Sequence, residues 1–333
     1  MVATTESFFE LSPDRVLDAV EASGFRCTGR CFPLNSYENR VYEVELEEPR
    51  IPNDRLSQKC VVKFYRPGRW SLEAIQEEHL FLNDLVEAEI PAVAPIRFQD
   101  DKTVHRTQIG ELYYTIFPKV GGRIPDEFSA DQLRWLGRLL GRMHNTGALR
   151  KAPHRITLHP DQYGKDDLEF LLAGNWIPAQ SRVRYETAAR EIFEHSRRLF
   201  GEISPIRIHG DCHTRNLLWD VSGPFFLDFD DMMMGPPVQD FWMLLTETGS
   251  EGERQLDILL EGYELIRSFD RKTLRWIEPL RALRYVHYSA WLARRWEDPA
   301  FPLAFPHFNT PRYWEEKTND LLEQLSLIRE VCA

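Results

Sequence analysis

The stretch from Ile206 to Gln239, IRIHGDCHTRNLLWDVSGPFFLDFDDMMMGPPVQ, constrains this chain more than any other. It reads as a short apolar strand at 206–208, then a polar loop carrying His209, Asp211, His213 and Asn216. Two β-like runs, 217–219 and 225–229, flank Asp220-Val221-Ser222-Gly223-Pro224, a hairpin signal with glycine in the loop. Asp228, Asp230 and Asp231 leave the second run, and Gly235-Pro236-Pro237 breaks the chain after them. A hairpin entered by an Asp/Asn loop and left by acids gathers carboxylates at one edge. Such an edge suits a divalent cation and a general base working on one substrate.

The rest of the chain must fold around that edge, and its 333 residues are enough for two lobes with a sizeable core. A net charge of -11 argues against nucleic-acid partners, which need basic surface to neutralise phosphates. It leaves nucleotides open, since these need only local donors and a metal. Five cysteines, Cys27, Cys31, Cys60, Cys212 and Cys332, read as reduced thiols of a cytoplasmic protein. Cys27 and Cys31 have no second Cys or His pair at zinc spacing. The first residues carry acids and no basic stretch, unlike a secretion signal. No apolar run reaches the roughly 18–20 residues that span a bilayer, so no membrane association is expected.

Taken in order, residues 12–23 predict a helix capped by Ser12, with Pro13 at its first position and Gly24 as its stop. A polar turn, Asn35 to Asn39, precedes a strand through Val41, Val44 and Leu46, and a second strand runs from Cys60 to Tyr65. Lys63 interrupts that strand, either as a lysine snorkelling to solvent or as a functional cation. A helix over 71–88 opens at Ser71, and Leu112–Phe117 reads as another strand, ended by Pro118-Lys119-Val120-Gly121-Gly122. Helices then dominate: 129–146 capped by Ser129 with Gly147 as its C′ residue, then 184–200, 251–269, 273–297 and 312–331. A β-rich first lobe (1–117), a connector (118–122) and a mainly helical second lobe (123–333) make an α+β architecture.

The loop chemistry admits two readings. On an extended strand His209, Asp211 and His213 share a face and form a zinc site, as in a hydrolase. That leaves Asn216, Asp228 and Lys63 without a task. Phosphoryl transfer needs a carboxylate at the attacking hydroxyl, oxygen ligands for Mg²⁺ and a cation on the nucleotide phosphates. Asp211, Asn216, Asp228 and Lys63 supply each part, and magnesium prefers oxygen donors to imidazole.

His209-x-Asp211-x-x-x-x-Asn216 with the later Leu227-Asp228-Phe229-Asp230 resembles the catalytic and metal loops of the protein-kinase-like superfamily. The likeness is closer to its aminoglycoside-phosphotransferase/choline-kinase branch. PLNSYENRVYEV, VVKFYRPGRW, FPKVGGR, IHGDCHTRNLLW and GPPVQDFWMLL together resemble the bacterial stress response kinase A family, from Pro33 to about Pro306. The resemblance implies a bilobal kinase-like fold moving the γ-phosphate of ATP, with Mg²⁺, to a hydroxyl. That hydroxyl belongs to Ser/Thr of proteins in a stress response. The alternative is a small hydroxyl acceptor, as in aminoglycoside, choline or homoserine kinases; a pseudokinase is disfavoured because the four central residues are all present. A monomer is expected.

Position by position, Asp211 is then the catalytic base, and Asn216 and Asp228 hold Mg²⁺ on the phosphates. Lys63 pairs with the α/β-phosphates, and Glu78, rather than Glu77, pairs with Lys63. Phe117 to Val120 form the hinge whose backbone meets adenine, and Asp240 ties loops together. Two departures stand out. Asn35-Ser36-Tyr37-Glu38-Asn39 replaces the usual glycine-rich phosphate loop, leaving Ser36 either a phosphate contact or part of a polar turn. His213 stands where eukaryotic protein kinases carry a lysine, and Asp230 where they carry the glycine of Asp-Phe-Gly. Outside this set, His144, the Met232–Met234 run and the aromatic 291–296 segment read as packing.

Overall fold

The computed structural model describes residues 8–9, 11–108, 111–200 and 204–332; the first seven residues, on which the leader reading leans, fall outside it. In chain order the elements begin with α1 (Pro13–Ala22), β1 (Cys27–Pro33), β2 (Arg40–Leu46), β3 (Lys59–Phe64) and α2 (Leu72–Glu87). β4 (His105–Arg106), β5 (Tyr113–Pro118), α3 (Ala130–Ala148), α4 (Asp166–Ala173) and α5 (Ala179–Phe200) follow. Next come β6 (Ile206–Ile208), β7 (Leu217–Asp220), β8 (Gly223–Phe226), β9 (Met233–Gly235) and α6 (Gln239–Trp242). α7 (Gly249–Glu264), α8 (Ile277–Arg294), α9 (Ala300–Ala304) and α10 (Pro311–Cys332) complete the chain. Two compact units result, one of residues 1–156, 207–233 and 243–267, the other of 157–206, 234–242 and 268–333.

The first unit is built on an antiparallel five-stranded sheet of order β1-β2-β3-β5-β4. Strand alternation sorts its residues. Cys60, Val62 and Phe64 of β3 join Val44, Leu46, Tyr114 and Ile116 in a core closed by Val16 and Val20 of α1. The odd-numbered residues face the other way, and Lys63 among them pairs in register with Val41 and Thr115. The lysine in an apolar strand is thus the polar half of an ordinary two-residue period. Ser12, Ser71 and Ser129 each cap the helix they precede, Ser129 with Gln132 in a capping box.

Several boundaries differ from the sequence expectation. Gly147 lies inside α3, not beyond its end, and glycine stands there because a Cβ would sit 2.1 Å from the carbonyl oxygen of Arg207. The hairpin loop shrinks to Val221 and Ser222, since Asp220 pairs with Gly223 and Trp219 with Pro224. Residues 227–229 leave the sheet, and Phe229–Asp231 form a 3-10 turn. β1, β4 and α4 had no expectation, and α5 begins five residues earlier than the 184 start, at Ala179. α7 ends at Glu264, and the expected 273–297 helix is a 3-10 turn followed by α8.

In the second unit α8 packs against α4, α5 and α10. Trp314 is fully buried, edge-on to Tyr185 with ring centroids 5.6 Å apart. Buried Asp167 accepts from His287 Nδ1 at 2.8 Å and pairs with Arg294 at 2.6 Å. Among the described residues no helix is long and apolar enough to cross a membrane.

Candidate active site

Within the first unit a cavity of about 270 Å³ is lined by Ser36, Lys63, Glu78, Phe117, Val120, Asn216 and Asp228. Seven of the eight expected site residues therefore meet at one wall. Asp211, the eighth, is not a wall residue but is tied to Asn216, whose Nδ2 donates to Asp211 O at 3.0 Å and Oδ2 at 3.4 Å. With its NH₂ spent on Asp211, the Asn216 amide keeps its carbonyl oxygen as an acceptor.

Lys63 is 5% exposed, and such burial is tolerable only because carboxylates surround its ammonium. Nζ donates to Glu78 Oε1 at 3.1 Å and lies 2.7 Å from Asp230 Oδ1 and 3.7 Å from Asp228 Oδ1. The Asp230 contact is an ion pair without hydrogen-bond alignment. Burial opposes the charge on Lys63, but Asp230 and Glu78 outweigh it and hold the ammonium well above the ordinary lysine range. Burial also favours neutral Asp230, yet Lys63 and Arg69 together keep it below the usual carboxylate range. Glu78, which has the weaker claim on Lys63, is pushed up by its burial.

The loop carrying Asp228 is set by backbone conformation. Asp228 adopts φ 55°, ψ 68°, a left-handed geometry that Asp tolerates better than most residues. Its carboxylate keeps 55% exposure. Its place within the cavity wall and the charges of Asp230, Asp231 and Asp211 raise its pKa against the pull of Lys63. A site with this surplus of negative charge and two oxygen donors, Asn216 and Asp228, fits a hard divalent cation. Gly210 explains how the loops approach: at φ +83°, its Cβ would stand 2.3 Å from the carbonyl oxygen of Asp231.

The loop carrying Asp211 does not present a three-ligand zinc face. His209 is fully buried. Its Nε2 donates to Leu227 O at 2.9 Å, and its Nδ1 accepts from the backbone N–H of Asp211 at 3.3 Å. Both ring nitrogens are occupied, one by the Leu227 carbonyl and the other by the Asp211 backbone. Among the described residues no three His, Cys, Asp or Glu side chains group to hold a metal. His213 Nε2 lies 3.4 Å from Asp211 Oδ2.

Two arginines completing the site had no sequence expectation. Arg155, 4% exposed, donates from Nε to Met232 O at 2.7 Å, from Nη1 to Ala74 O at 3.3 Å, and from Nη2 to Asp230 O. It thereby fastens the loop of Asp230 and Met232 to α2. Arg69 bonds Asp230 and Asp231. Arg69 follows β3 closely in sequence, which is the one local signal available; Arg155 has none. His144 bonds Tyr263 OH at 3.0 Å, and Met232 to Met234 are all buried, both as expected of packing residues.

The sequence model of a phosphotransferase enzyme family matches residues 31–277. Stress response kinase A of Escherichia coli (strain K12) is 40% identical over 328 residues, spanning 97% of this chain and 95% of that protein. The chain belongs to the phosphotransferase enzyme family, in its stress response kinase A branch. A further relative, serine/threonine protein kinase RdoA of Salmonella typhimurium, is 39% identical over 329 residues, with 97% and 95% coverage. Among solved structures, the amicoumacin kinase hAmiN in complex with AMP-PNP, Ca2+ and Ami superposes with a TM-score of 0.70 at 18% identity, covering 92% of this chain and 94% of that one. A microcompartment-associated aminopropanol kinase gives 0.67 at 18%, covering 94% and 96%. At these identities the likeness concerns the fold, and it agrees with the α+β kinase-like architecture expected of this family.

Proposed function

We propose that this phosphotransferase moves the γ-phosphoryl group of ATP, with Mg²⁺, to a Ser or Thr hydroxyl of proteins in a bacterial stress response. The observation that carries the ATP site is the wall itself: Lys63 bonded to buried Glu78, facing Asn216 and Asp228, with Asp211 held by Asn216. The names of the relatives, stress response kinase A and serine/threonine protein kinase RdoA, support the protein acceptor and the stress role.

In this reading Asn216 and Asp228 hold the cation, which neutralises charge on the β- and γ-phosphates when bound. Lys63 pairs with the α/β-phosphates, Ser36 contacts phosphate, and the backbone of Phe117 to Val120 receives adenine. Asp211 accepts the acceptor hydroxyl's proton as the new O–P bond forms and the bond from the bridging oxygen to the γ-phosphorus breaks, leaving ADP. His209 keeps the Asp211 backbone in place. Residues 1–117 and 123–333 act as the two lobes around the connector 118–122. The reading of Cys27, Cys31, Cys60 and Cys212 as reduced thiols supports a cytoplasmic location, and a monomer is the proposed state.

A second reading has an observation of its own. Solved structures of like fold are titled as kinases of small molecules, amicoumacin and aminopropanol among them. One experiment separates the two: labelled-ATP transfer offered to a protein panel beside aminoalcohols and aminoglycosides. Transfer to protein Ser/Thr is expected, and labelling of small molecules alone would replace the protein reading with the second. Asp211→Ala should lose about 10²–10⁴ in turnover, the worth of a positioned acid/base, with Mg–ATP binding retained. Near-wild-type transfer by that variant would remove Asp211 from the base role.

A further inference from the structure

Arg69 stands in the turn between β3 and α2 and reaches three carboxylates on two loops. Nη1 donates to Asp230 Oδ2 and Nη2 to Asp231 Oδ1, both on the metal loop. Nε lies 3.6 Å from Glu38 Oε1, in the turn carrying Ser36. Trp70 packs against the guanidinium, 5.1 Å from ring centroid to Cζ. Neighbouring Arg66 holds the same turn by its backbone, donating to Glu38 O at 2.9 Å and Tyr37 O at 3.0 Å.

The consequence lies one contact further on. Asp230 Oδ1, the oxygen that Arg69 does not take, is the nearest carboxylate oxygen to Lys63, at 2.7 Å. Glu78 and Asp228 also stand within 4 Å of that ammonium. Three acids therefore compete for the one lysine that a polyphosphate would need. Two of them have other reasons to be there: Glu78 orients the lysine and Asp228 faces the cavity. Asp230 is the competitor, and Arg69 is the cation that shares it.

We propose that Arg69 is a positioning residue for phosphoryl transfer: its fork shares the charge of Asp230 and Asp231 and so leaves Lys63 able to take nucleotide phosphates. It acts through Asp230, and its contact with Glu38 places the Ser36 turn on the same support. Lysine cannot replace it fully, because an ammonium lacks the planar fork that serves two separate carboxylates at once. The proposal rests on the ATP-site reading of the cavity.

The test is calorimetric titration of Mg–ATP into wild type, Arg69→Gln, Arg69→Lys and the double variant Arg69→Gln/Asp230→Asn, each with its thermal midpoint. Arg69→Gln should weaken Mg–ATP binding at least tenfold, with Arg69→Lys in between. Adding Asp230→Asn to Arg69→Gln should recover most of that loss, because the competing charge is gone. A purely structural arginine would lower the thermal midpoint of both variants and leave no such recovery. Wild type failing to bind Mg–ATP would sink the ATP-site reading itself. Wild type binding normally, with Arg69→Gln equal to it or the double variant no better than the single, would overturn the role of Arg69 alone. Should Arg69→Gln not fold, Arg69→Lys against Arg69→Lys/Asp230→Asn carries the same comparison.

Discussion

His79 shows how tightly single residues behind the cavity are constrained. It lies one position past Glu78 on α2, 2% exposed, with Nε2 2.9 Å from Tyr65 OH and Nδ1 2.7 Å from Thr103 Oγ1. Burial, with Lys63 and Arg155 close by, pushes its pKa down to about 3 from 6.5. The folded state stays neutral while the unfolded chain takes a proton as pH falls below 6.5. Stability that is fully present above 6.5 is therefore lost towards pH 3, at about 1.4 kcal/mol per pH unit. Urea unfolding of His79→Gln should show a shallower decline between pH 6.5 and 4 than wild type; parallel pH profiles would contradict the assignment. The helical spacing Leu72, Ile75, His79, Leu82 already puts this histidine on the apolar stripe of α2, though nothing local names its partners Tyr65 and Thr103. Its burial is decided by which face α2 turns to the sheet.

At the scale of elements, glycine decides how α3 meets α7. A Cβ on Gly137 would lie 2.0 Å from the carbonyl oxygen of Leu259, and one on Gly262 2.1 Å from that of Arg134. These contacts are backbone against side-chain space, so no rotamer change relieves them. Helix propensity favours alanine over glycine by about 1 kcal/mol, whereas overpacking costs about 1–3 kcal/mol. The carbonyl at 2.0 Å makes the second effect win. Gly137→Ala should lower the free energy of unfolding, measured in denaturant, by about 1–3 kcal/mol; a stabilised variant would show that the helices separate without cost. The caps Ser12, Ser71 and Ser129 were legible in the sequence because a cap bond spans only a few residues. The end of α3 was not, because Gly147 serves the backbone at Arg207, sixty positions on.

For the whole molecule, the cavity draws its wall from segments near 36, 63, 78, 117–120 and 216–228, all in one compact unit. A ligand that holds those segments together stabilises the folded chain by mass action. Mg–ATP at a hundred times its dissociation constant should add about 2.7 kcal/mol to unfolding. Thermal unfolding followed by circular dichroism, with and without Mg²⁺, reads this directly. Asp228→Asn should lose the Mg²⁺-dependent part of the gain, and an undiminished gain would take Asp228 out of the metal site.

The chemistry of this protein was legible because its groups are fixed by covalent order. Asp211 and Asn216 lie five residues apart on one loop, Asp228 follows one hairpin later, and Lys63 falls on the polar parity of an apolar strand. The family resemblance added Ser36, Glu78 and the hinge at Phe117 to Val120, all of which line the cavity. Tertiary structure alone decided which charge answers which. Asp230 sits nearer Lys63 than Glu78 does, and Arg69 and Arg155 bind the metal loop from positions that no spacing connects to it. The physical reason is range. Strand alternation and helix caps act over a few residues, but the partner of a buried charge is whichever opposite charge the packed chain brings within about 4 Å.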